Sequence, residues 1–327
     1  MSNFDIAVII PTLNEEVFIS QCLDSIIKQT YPFQQMDIMV IDGGSCDKTK
    51  EIVAYYHRKY KNIRLISNPK KIQSAAFNLG VKHSSAPYIV RLDAHAEYNN
   101  IYIETCIELL KSIPNIGNVG GVWDIRPQNR TLQAEANAIL NKEKFGIGGA
   151  SYRIGSTARF VDTVPFGAYP RVVIQDIGNM REDLARGEDN EYNSRIKGKG
   201  YKIFLDPRIR ANYYARSSVK NSIKQMFSNG ISIGKLLHIA PRSVSLRHLI
   251  PMIFVSSLIL FSILSFIRPI FYTILCLILT TYLISDFIAT MFSCIKNGFK
   301  YFIILFLLFP CIHIAYGCGT IIGLIKN

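Results

Sequence analysis

The sequence predicts an α/β protein, a mostly parallel, doubly wound sheet, followed by C-terminal transmembrane helices. Three observations lead there. Between Asp5 and Leu92 short apolar runs alternate with helical stretches, the pattern of strands joined by crossover helices. Two of those runs stop at a carboxylate, Asp42 and Asp93, and in such sheets ligands bind beyond the carboxyl ends of the strands. Late in the chain charge almost disappears: from Leu249 to the end only Arg268, Asp286, Lys296, Lys300 and Lys326 are charged.

Taken in order, Asp5 to Ile10 reads as a strand closed by Pro11. Thr12-Leu13-Asn14-Glu15-Glu16 then reads as a helix start, with Asn14 as N-cap and its acids in the first turn, running to about Gln29. Ile38 to Ile41 is the next strand, ending in Asp42-Gly43-Gly44-Ser45, whose glycines let backbone approach a ligand. A helix from about Lys48 to Tyr60, a strand from Ile63 to Ser67 and a helix from Ile72 to His83 follow. The central stretch is Tyr88-Ile89-Val90-Arg91-Leu92-Asp93-Ala94-His95-Ala96. If it stays extended, Asp93 and His95 share a face and can hold a divalent metal with room for phosphate oxygens; the alternative is a strand-end turn with no further role.

After His95 the alternation fades. Ile101 to Ile113 and Leu132 to Phe145 read as helices and Gly120 to Trp123 as a strand. Gly146 to Gly178 reads as a long irregular segment holding Arg153, Arg159, Phe166, Gly167, Tyr169, Pro170 and Arg171, and long loops in compact domains are usually functional. Gly187-Glu188-Asp189-Asn190-Glu191 opens a helix to about Lys197, where clustered acids sit well in the helix dipole whether or not they do chemistry. Tyr201 to Leu205 reads as the last strand, ended by Asp206-Pro207.

Composition narrows the function. The 327 residues are 49% hydrophobic with a mean hydropathy of +0.19, too apolar for an ordinary soluble enzyme of this length. The net charge of +13 suits an anionic membrane surface and phosphorylated substrates; no nucleic-acid module signature is present, so nucleic acid is not an expected partner. The seven cysteines include no C-x-x-C pair and read as reduced, mostly buried thiols. No secretory signal is read at the start, so the soluble part is expected to be cytoplasmic.

Three regions are expected: a cytoplasmic domain over 1–215, a basic amphipathic interfacial segment over 216–248, and a transmembrane region over 249–327 with helices near 249–267, 270–291 and 301–325. Arg268-Pro269 makes a hairpin of the first two. Arg242, Arg247, Lys296 and Lys300 would lie on the inner side, giving a multi-pass protein of the cell membrane. Ala315, Gly319 and Gly323 offer a close-packing helix face, and Asp286 and His313 inside spans are costly unless paired.

Several of these stretches together resemble family 2 glycosyltransferases. The stretches are Val8-Ile9-Ile10-Pro11-Thr12-Leu13-Asn14-Glu15, Val40-Ile41-Asp42-Gly43-Gly44-Ser45-Cys46-Asp47, Asn78-Leu79-Gly80, Asp93-Ala94-His95 and Gly187-Glu188-Asp189. The membrane tail, with His313-Ile314-Ala315-Tyr316-Gly317-Cys318-Gly319, is similar to that of bacterial exopolysaccharide glycosyltransferases of the succinoglycan ExoA type. The resemblance implies the A-type glycosyltransferase fold and a nucleotide-diphosphate sugar donor, a UDP-sugar first. It implies donor binding by Pro11, Thr12, Asn14, Glu15, Asp42, Asp93 and Ala94, with Lys71 on the diphosphate. It puts Asp93 and His95 at the family's Asp-x-Asp metal motif. With His in place of the second Asp, Mn2+ suits the site better than Mg2+.

Glu188 and Asp189 fall at the family's catalytic acidic pair. Asp189 is the expected base, removing the acceptor hydroxyl proton in an inverting displacement, with Glu188 orienting the acceptor or the base. Phe166, Tyr169 and Arg171 are expected to face the acceptor. Processive members carry Gln-x-x-Arg-Trp near the membrane; here Gln225-Met226-Phe227 continues as Ser228-Asn229. Transfer of one sugar to a membrane-bound acceptor, a polyprenyl-diphosphate-linked glycan, is therefore expected. The alternatives are a polyprenyl-phosphate sugar synthase, whose phosphate nucleophile hardly needs a base, and a non-catalytic membrane scaffold. A transporter would need more spans, and a nucleotidyltransferase would need a glycine- and Arg/Lys-rich phosphate loop that Pro11 to Glu16 lacks.

Overall fold

The computed structural model describes residues 4–154, 157–184 and 186–326. In chain order its elements are β1 (Ile6–Thr12), α1 (Ile19–Ile27), β2 (Met36–Asp42), α2 (Thr49–Lys59), β3 (Ile63–Ser67), α3 (Gln73–His83), β4 (Tyr88–Arg91) and β5 (Ala96–Tyr98). Then come α4 (Tyr102–Ser112), β6 (Ile116–Pro127), α5 (Leu132–Lys142), α6 (Lys144–Ile147), α7 (Ser151–Ile154), β7 (Arg159–Phe160), β8 (Ala168–Pro170) and α8 (Arg171–Ile177). The chain closes with α9 (Glu188–Gly198), β9 (Lys202–Ala215), α10 (Val219–Ile239), α11 (Leu246–Ser265), α12 (Pro269–Asn297) and α13 (Phe302–Ile325). Two compact units result. The first runs to Asp124 and resumes over Ser151–Tyr213; the second combines Ile125–Ala150 with Tyr214–Asn327. The 125–150 stretch departs from the division expected from hydropathy: it is polar in sequence yet packs with the apolar tail.

The first unit is built on a sheet of order β3-β2-β1-β4-β8-β6-β9-β5, with β7 on β9. β1, β2, β3 and β4 are parallel; β1 and β2 are wholly buried, β4 nearly so, and β3 at the edge buries only Ile63. The rest is antiparallel, β8 pairing with β4 and β6, and β5 with β9. The register sets Thr12 beside Asp42 and Asp42 beside Ser67, so the loops after β1, β2 and β3 leave the sheet on one level. Two glycines allow close approach. A Cβ on Gly80 would lie 2.5 Å from Ile9, and one on Gly121 would lie 1.8 Å from the Ile209 carbonyl oxygen.

Three boundaries differ from those read in the sequence, each for a physical reason. The first helix starts at Ile19, not at Asn14. Asn14 is left-handed (φ 55°), and the N–H groups of Asn14, Glu15 and Glu16 donate to Ser45 Oγ, Thr49 Oγ1 and Asp47 Oδ2, so the loop after β2 satisfies them instead of a helix. The last strand runs through Asp206-Pro207 to Ala215. Pro207 falls between the part paired with β7 (Phe204 and Leu205) and the part paired with β5 (Ala211 to Tyr213). The segment read as irregular holds α7, β7, β8 and α8.

In the second unit α11, α12 and α13 belong to helical segments long and apolar enough to cross a membrane. α12 begins at Pro269 and ends before Gly298, whose φ of 111° no continuing helix would tolerate. α10 packs on α13 backbone to backbone. A Cβ on Gly230, Gly234, Gly319 or Gly323 would come within 2.2–2.3 Å of a carbonyl oxygen of the facing helix, those of Tyr316, Thr320, Phe227 and Ile231. The amphipathic helix expected on a lipid surface therefore gives its Ser222, Met226, Gly230 and Ile233 face to protein. α5 joins the same core through Ala136, Ile139 and Leu140, against Met226, Leu305, Phe309 and Ile312. Glu135 accepts from Tyr301 Oη at 2.7 Å and from Lys300 Nζ at 3.2 Å. His313 and Asp286 do not pair with each other. His313 lies 2.8 Å from Tyr282 Oη and 2.7 Å from the Phe145 carbonyl oxygen, while Asp286, fully buried, accepts from Thr290 at 3.4 Å.

Candidate active site

The loops at the carboxyl ends of the parallel strands are tied into one rim. The Gly43 N–H donates to the Thr12 carbonyl, Cys46 N–H to Asn14 Oδ1 (2.9 Å) and Asn68 N–H to the Asp42 carbonyl. Thr12 Oγ1 donates to the Ile10 carbonyl at 3.0 Å. The buried Asp42 carboxylate accepts from the N–H groups of Gly44 and Ser45 and from Ser45 Oγ. Its two oxygens thus shape the turn after β2. Gly44 needs its positive φ (89°) for that turn. Lys71, exposed and itself left-handed (φ 58°), brings the end of its side chain to Gly44, with Nζ 3.8 Å from where a Cβ on that glycine would lie. An exposed cation at a strand-end turn is suited to phosphate oxygens.

Asp93 and His95 come together, though not by strand alternation. β4 ends at Arg91, and Asp93 to His95 form a turn before β5. The turn is pinned by Tyr98, whose hydroxyl accepts from Asp93 N–H at 2.7 Å and donates to the Asp93 carbonyl at 2.9 Å. Asp93 Oδ2 then lies 4.0 Å from His95 Nε2. His95 Nδ1 lies 3.2 Å from Glu15 Oε1. An ionised carboxylate only accepts, so Nδ1 carries the proton in the neutral ring and Nε2 keeps a lone pair on the Asp93 side. This is how an outer carboxylate orients a metal-binding imidazole. Glu15, read as a donor contact, meets His95 instead. Among the described residues no group of three or more His, Cys, Asp or Glu side chains is placed to hold a metal ion. The donor set Asp93 and His95 fits a divalent ion that completes its shell with phosphate oxygens and water, and does not fit a closed structural metal site.

The second acidic centre is linked to this one by Arg91, which the sequence reading passed over. Arg91 is 7% exposed and donates to Asp93 Oδ1 at 3.1 Å and to Gln73 Oε1 at 3.0 Å. Burial works against its charge, but the fields of Asp93, Glu188 and Asp189 outweigh it and hold the guanidinium protonated. Glu188 and Asp189 open α9 behind Gly187, which caps the helix in the left-handed conformation (φ 78°). Glu188 is buried; Asp189 is half-buried and accepts from Asn190 N–H at 2.8 Å. Burial, and then the charge of Asp189, push Glu188 up to about 7, with Arg91 opposing. The two adjacent carboxyls thus differ: Glu188 is buried and shifted toward its protonated form, while Asp189 is half-buried. That separation of roles is what acid–base chemistry needs of two adjacent carboxyls.

Asn78 of the Asn78-Leu79-Gly80 stretch fixes the loop that leads into α9. Its amide donates to the Met180 carbonyl and to Glu182 Oε1 and accepts from Met180 N–H. Glu182 also pairs with Lys70. Of the three residues expected toward an acceptor, Phe166 and Tyr169 belong to the interior and Arg171 is half-buried. Phe166 and Tyr169 are 3% and 2% exposed; Tyr169 packs edge-on to Phe77 and Tyr192, and Arg171 donates to the carbonyls of Ala86 and Val81. They support the wall from behind. Close to His95 stands a group of rings not foreseen together. Tyr213 lies 6.1 Å from the His95 ring and stacks on Trp123 at 4.2 Å and 5°, and Tyr152 meets Trp123 edge-on at 4.8 Å.

Comparison with known proteins agrees with this geometry. The family described as "Glycosyl transferase family 2" matches residues 7–177. A relative from Methanococcus voltae, named as a dolichyl N-acetyl-alpha-D-glucosaminyl phosphate 3-beta-D-2,3-diacetamido-2,3-dideoxy-beta-D-glucuronosyltransferase, is 31% identical over 329 residues, 98% of each chain. The succinoglycan biosynthesis protein ExoA of Rhizobium meliloti (strain 1021) is 27% identical over 225 residues, 68% of this chain and 67% of its own. Among solved structures, the mannosyltransferase PcManGT from Pyrobaculum calidifontis, in complex with GDP-Man and Mn2+, is similar with a TM-score of 0.59 at 17% identity, over 97% of this chain and 87% of that one. With the family matched over the parallel sheet and its strand-end loops, and a relative alike over nearly its whole length, the chain belongs to glycosyl transferase family 2, with the A-type glycosyltransferase fold and three apolar helices at its C-terminal end.

Proposed function

We propose that this enzyme transfers one sugar, with inversion, from a nucleotide-diphosphate sugar to a lipid-linked glycan acceptor in the synthesis of an extracellular polysaccharide or glycoconjugate. The observation that carries the reading is the buried Arg91, bonded to Asp93 and within the fields of Glu188 and Asp189, so that a donor motif and an acidic pair form one constellation. The acceptor class is supported by the Methanococcus voltae relative, whose name specifies a dolichyl phosphate sugar, and by the apolar helices. The apolar helices would anchor the protein as a multi-pass protein of the cell membrane, with the sheet unit in the cytoplasm.

In this reading Pro11, Thr12, Asn14, Asp42 and Ala94 form the nucleoside side of the site, and Lys71 neutralises the diphosphate. Asp93 and His95 would hold Mn2+, favoured over Mg2+ by the imidazole ligand. The bound ion would supply charge stabilisation on the departing diphosphate. Asp189 takes the proton of the acceptor hydroxyl as that oxygen bonds to the anomeric carbon, and the bond to the diphosphate oxygen breaks on the opposite face. Glu188, near neutrality, orients Asp189, and Arg91 holds the two acidic centres at a fixed spacing.

The test is transfer from a panel of nucleotide sugars, UDP-sugars first, by full-length protein in detergent, with Mn2+ and with chelator, for wild type and Asp189→Asn. Metal-dependent transfer lost in Asp189→Asn supports the reading. Near-full activity of the variant with a lipid phosphate as acceptor would replace it with a polyprenyl-phosphate sugar synthase. Absence of binding or turnover with every donor would leave a scaffold.

A further inference from the structure

We infer that Tyr98 is a positioning residue for the candidate metal motif: its hydroxyl holds the Asp93 backbone and so sets where the Asp93 carboxylate meets the ion. This rests on the reading of Asp93 and His95 as metal ligands. The backbone ladder around β4 continues past the strand as far as Leu92. The Arg91 N–H donates to the Gly167 carbonyl and the Leu92 N–H to the Ile9 carbonyl, each at 2.9 Å. At Asp93 a side chain takes over. Tyr98 Oη accepts from the Asp93 N–H at 2.7 Å and donates to the Asp93 carbonyl at 2.9 Å. One oxygen atom thus serves both backbone polar groups of one residue, as the facing residue of an antiparallel pair would.

The phenol that does this is itself fixed. Tyr98 is 3% exposed, and its ring meets Tyr102 edge-on at 5.0 Å and Phe166 at 5.8 Å. Its N–H donates to Ser25 Oγ at 3.2 Å, and its pairing with Ala211 of β9 sets its place on β5. Phe166, expected toward an acceptor, here serves as a wall for this ring. A hydroxyl held in this way allows the Asp93 backbone one position. The Asp93 carboxylate projects from that backbone, with Oδ1 accepting from Arg91 at 3.1 Å and Oδ2 lying 4.0 Å from His95 Nε2. Groups behind the ligands fix where a ligand oxygen stands, and losing one of them costs metal affinity rather than only stability. Tyr98→Phe keeps the ring and removes only the atom that both Asp93 groups share.

The experiment follows Mn2+ binding to full-length protein in detergent through the electron paramagnetic resonance of free Mn2+. Mn2+ alone is the probe, and the temperature lies below the unfolding midpoint of every variant. Wild type is compared with Asp93→Asn, Tyr98→Phe, Tyr102→Phe and protein carrying 4-aminophenylalanine in place of Tyr98. Tyr102 is the control, a buried phenol beside Tyr98 whose Oη donates to the Phe166 carbonyl at 2.8 Å rather than to Asp93. The expected result is Mn2+ affinity about 10-fold weaker in Tyr98→Phe and within about 2-fold of wild type in Tyr102→Phe. The 4-aminophenylalanine protein, which returns a donor and a lone pair to the same place, should recover part of the loss. Both Phe variants lose a buried hydrogen bond and should lower Tm, so Mn2+ affinity and not stability separates them. Wild-type Mn2+ affinity in Tyr98→Phe, with Asp93→Asn impaired, would overturn the inference and leave the metal reading standing. Equal weakening in Tyr102→Phe would also overturn it, since the effect would then belong to a loosened ring cluster. Wild type binding Mn2+ no better than Asp93→Asn would fail the metal reading itself, and the inference with it.

Discussion

Replacing Glu188 by Gln should make this enzyme more stable above neutral pH, and the size of the gain follows from the site. Burial and the neighbouring charge of Asp189 raise the Glu188 carboxyl from 4.5 to about 7. In the unfolded chain the group ionises near its ordinary value. Between these two points the folded protein holds a proton that the unfolded chain has released, so stability falls as pH rises across that window. The full span corresponds to roughly 3 kcal/mol at 1.36 kcal/mol per pH unit. Relaxation of the structure around a buried charge lowers the effective penalty, so about 2 kcal/mol is the working figure. Gln removes the ionisation at nearly constant shape. For a domain of this size that gain raises Tm at pH 8 by about 5 °C, with no gain at pH 4.5. The assay is thermal unfolding in detergent from pH 4.5 to 8.5, wild type against Glu188→Gln. Wild type should lose stability between pH 5 and 7.5, and the variant should be flatter there. Parallel curves, or a variant less stable at every pH, would refute the placement of Glu188 as a buried carboxyl held near neutrality.

Two further outcomes follow. Arg91→Gln removes the cation between Asp93 and the acidic pair, leaving buried carboxylates uncompensated; a loss of about 3 kcal/mol in denaturant unfolding is expected, with Arg91→Lys between the two. Glu15→Gln keeps the size of the side chain but frees the choice of His95 tautomer; Mn2+ binding, followed by the electron paramagnetic resonance of free Mn2+, should weaken about 10-fold while the fold is unchanged.

Much of this architecture was legible because burial writes itself into composition. β1, β2 and β4 are apolar runs because both faces of a parallel sheet are covered, while the edge strand β3 buries only Ile63. The carboxylates at Asp42 and Asp93 stood out as breaks in those runs. What remained hidden depended on contacts distant in sequence. Asn14 looks like a helix cap until Ser45, Thr49 and Asp47 are seen to take the N–H groups around it. The 125–150 stretch carries no apolar periodicity strong enough to announce its packing with the tail. Phe166 and Tyr169 looked exposed because their stretch lacks helical or strand pattern, yet antiparallel β8 inserts beside β4 and buries them. Arg91 gave a signal that could have been used: a lone cation inside an apolar strand, two residues from a candidate metal ligand, must find a counter-charge. The Trp123, Tyr152 and Tyr213 group gave none, since its members come from three separate elements.

The measurement that bears most directly on the central claim is sugar transfer to a lipid-linked acceptor by full-length protein, comparing wild type with Asp189→Asn under saturating donor and Mn2+. The account predicts that Asp189→Asn binds nucleotide sugar as wild type does and transfers at least about 100-fold more slowly, the scale of a lost general base. Transfer at the wild-type rate would contradict it and remove Asp189 from the chemistry.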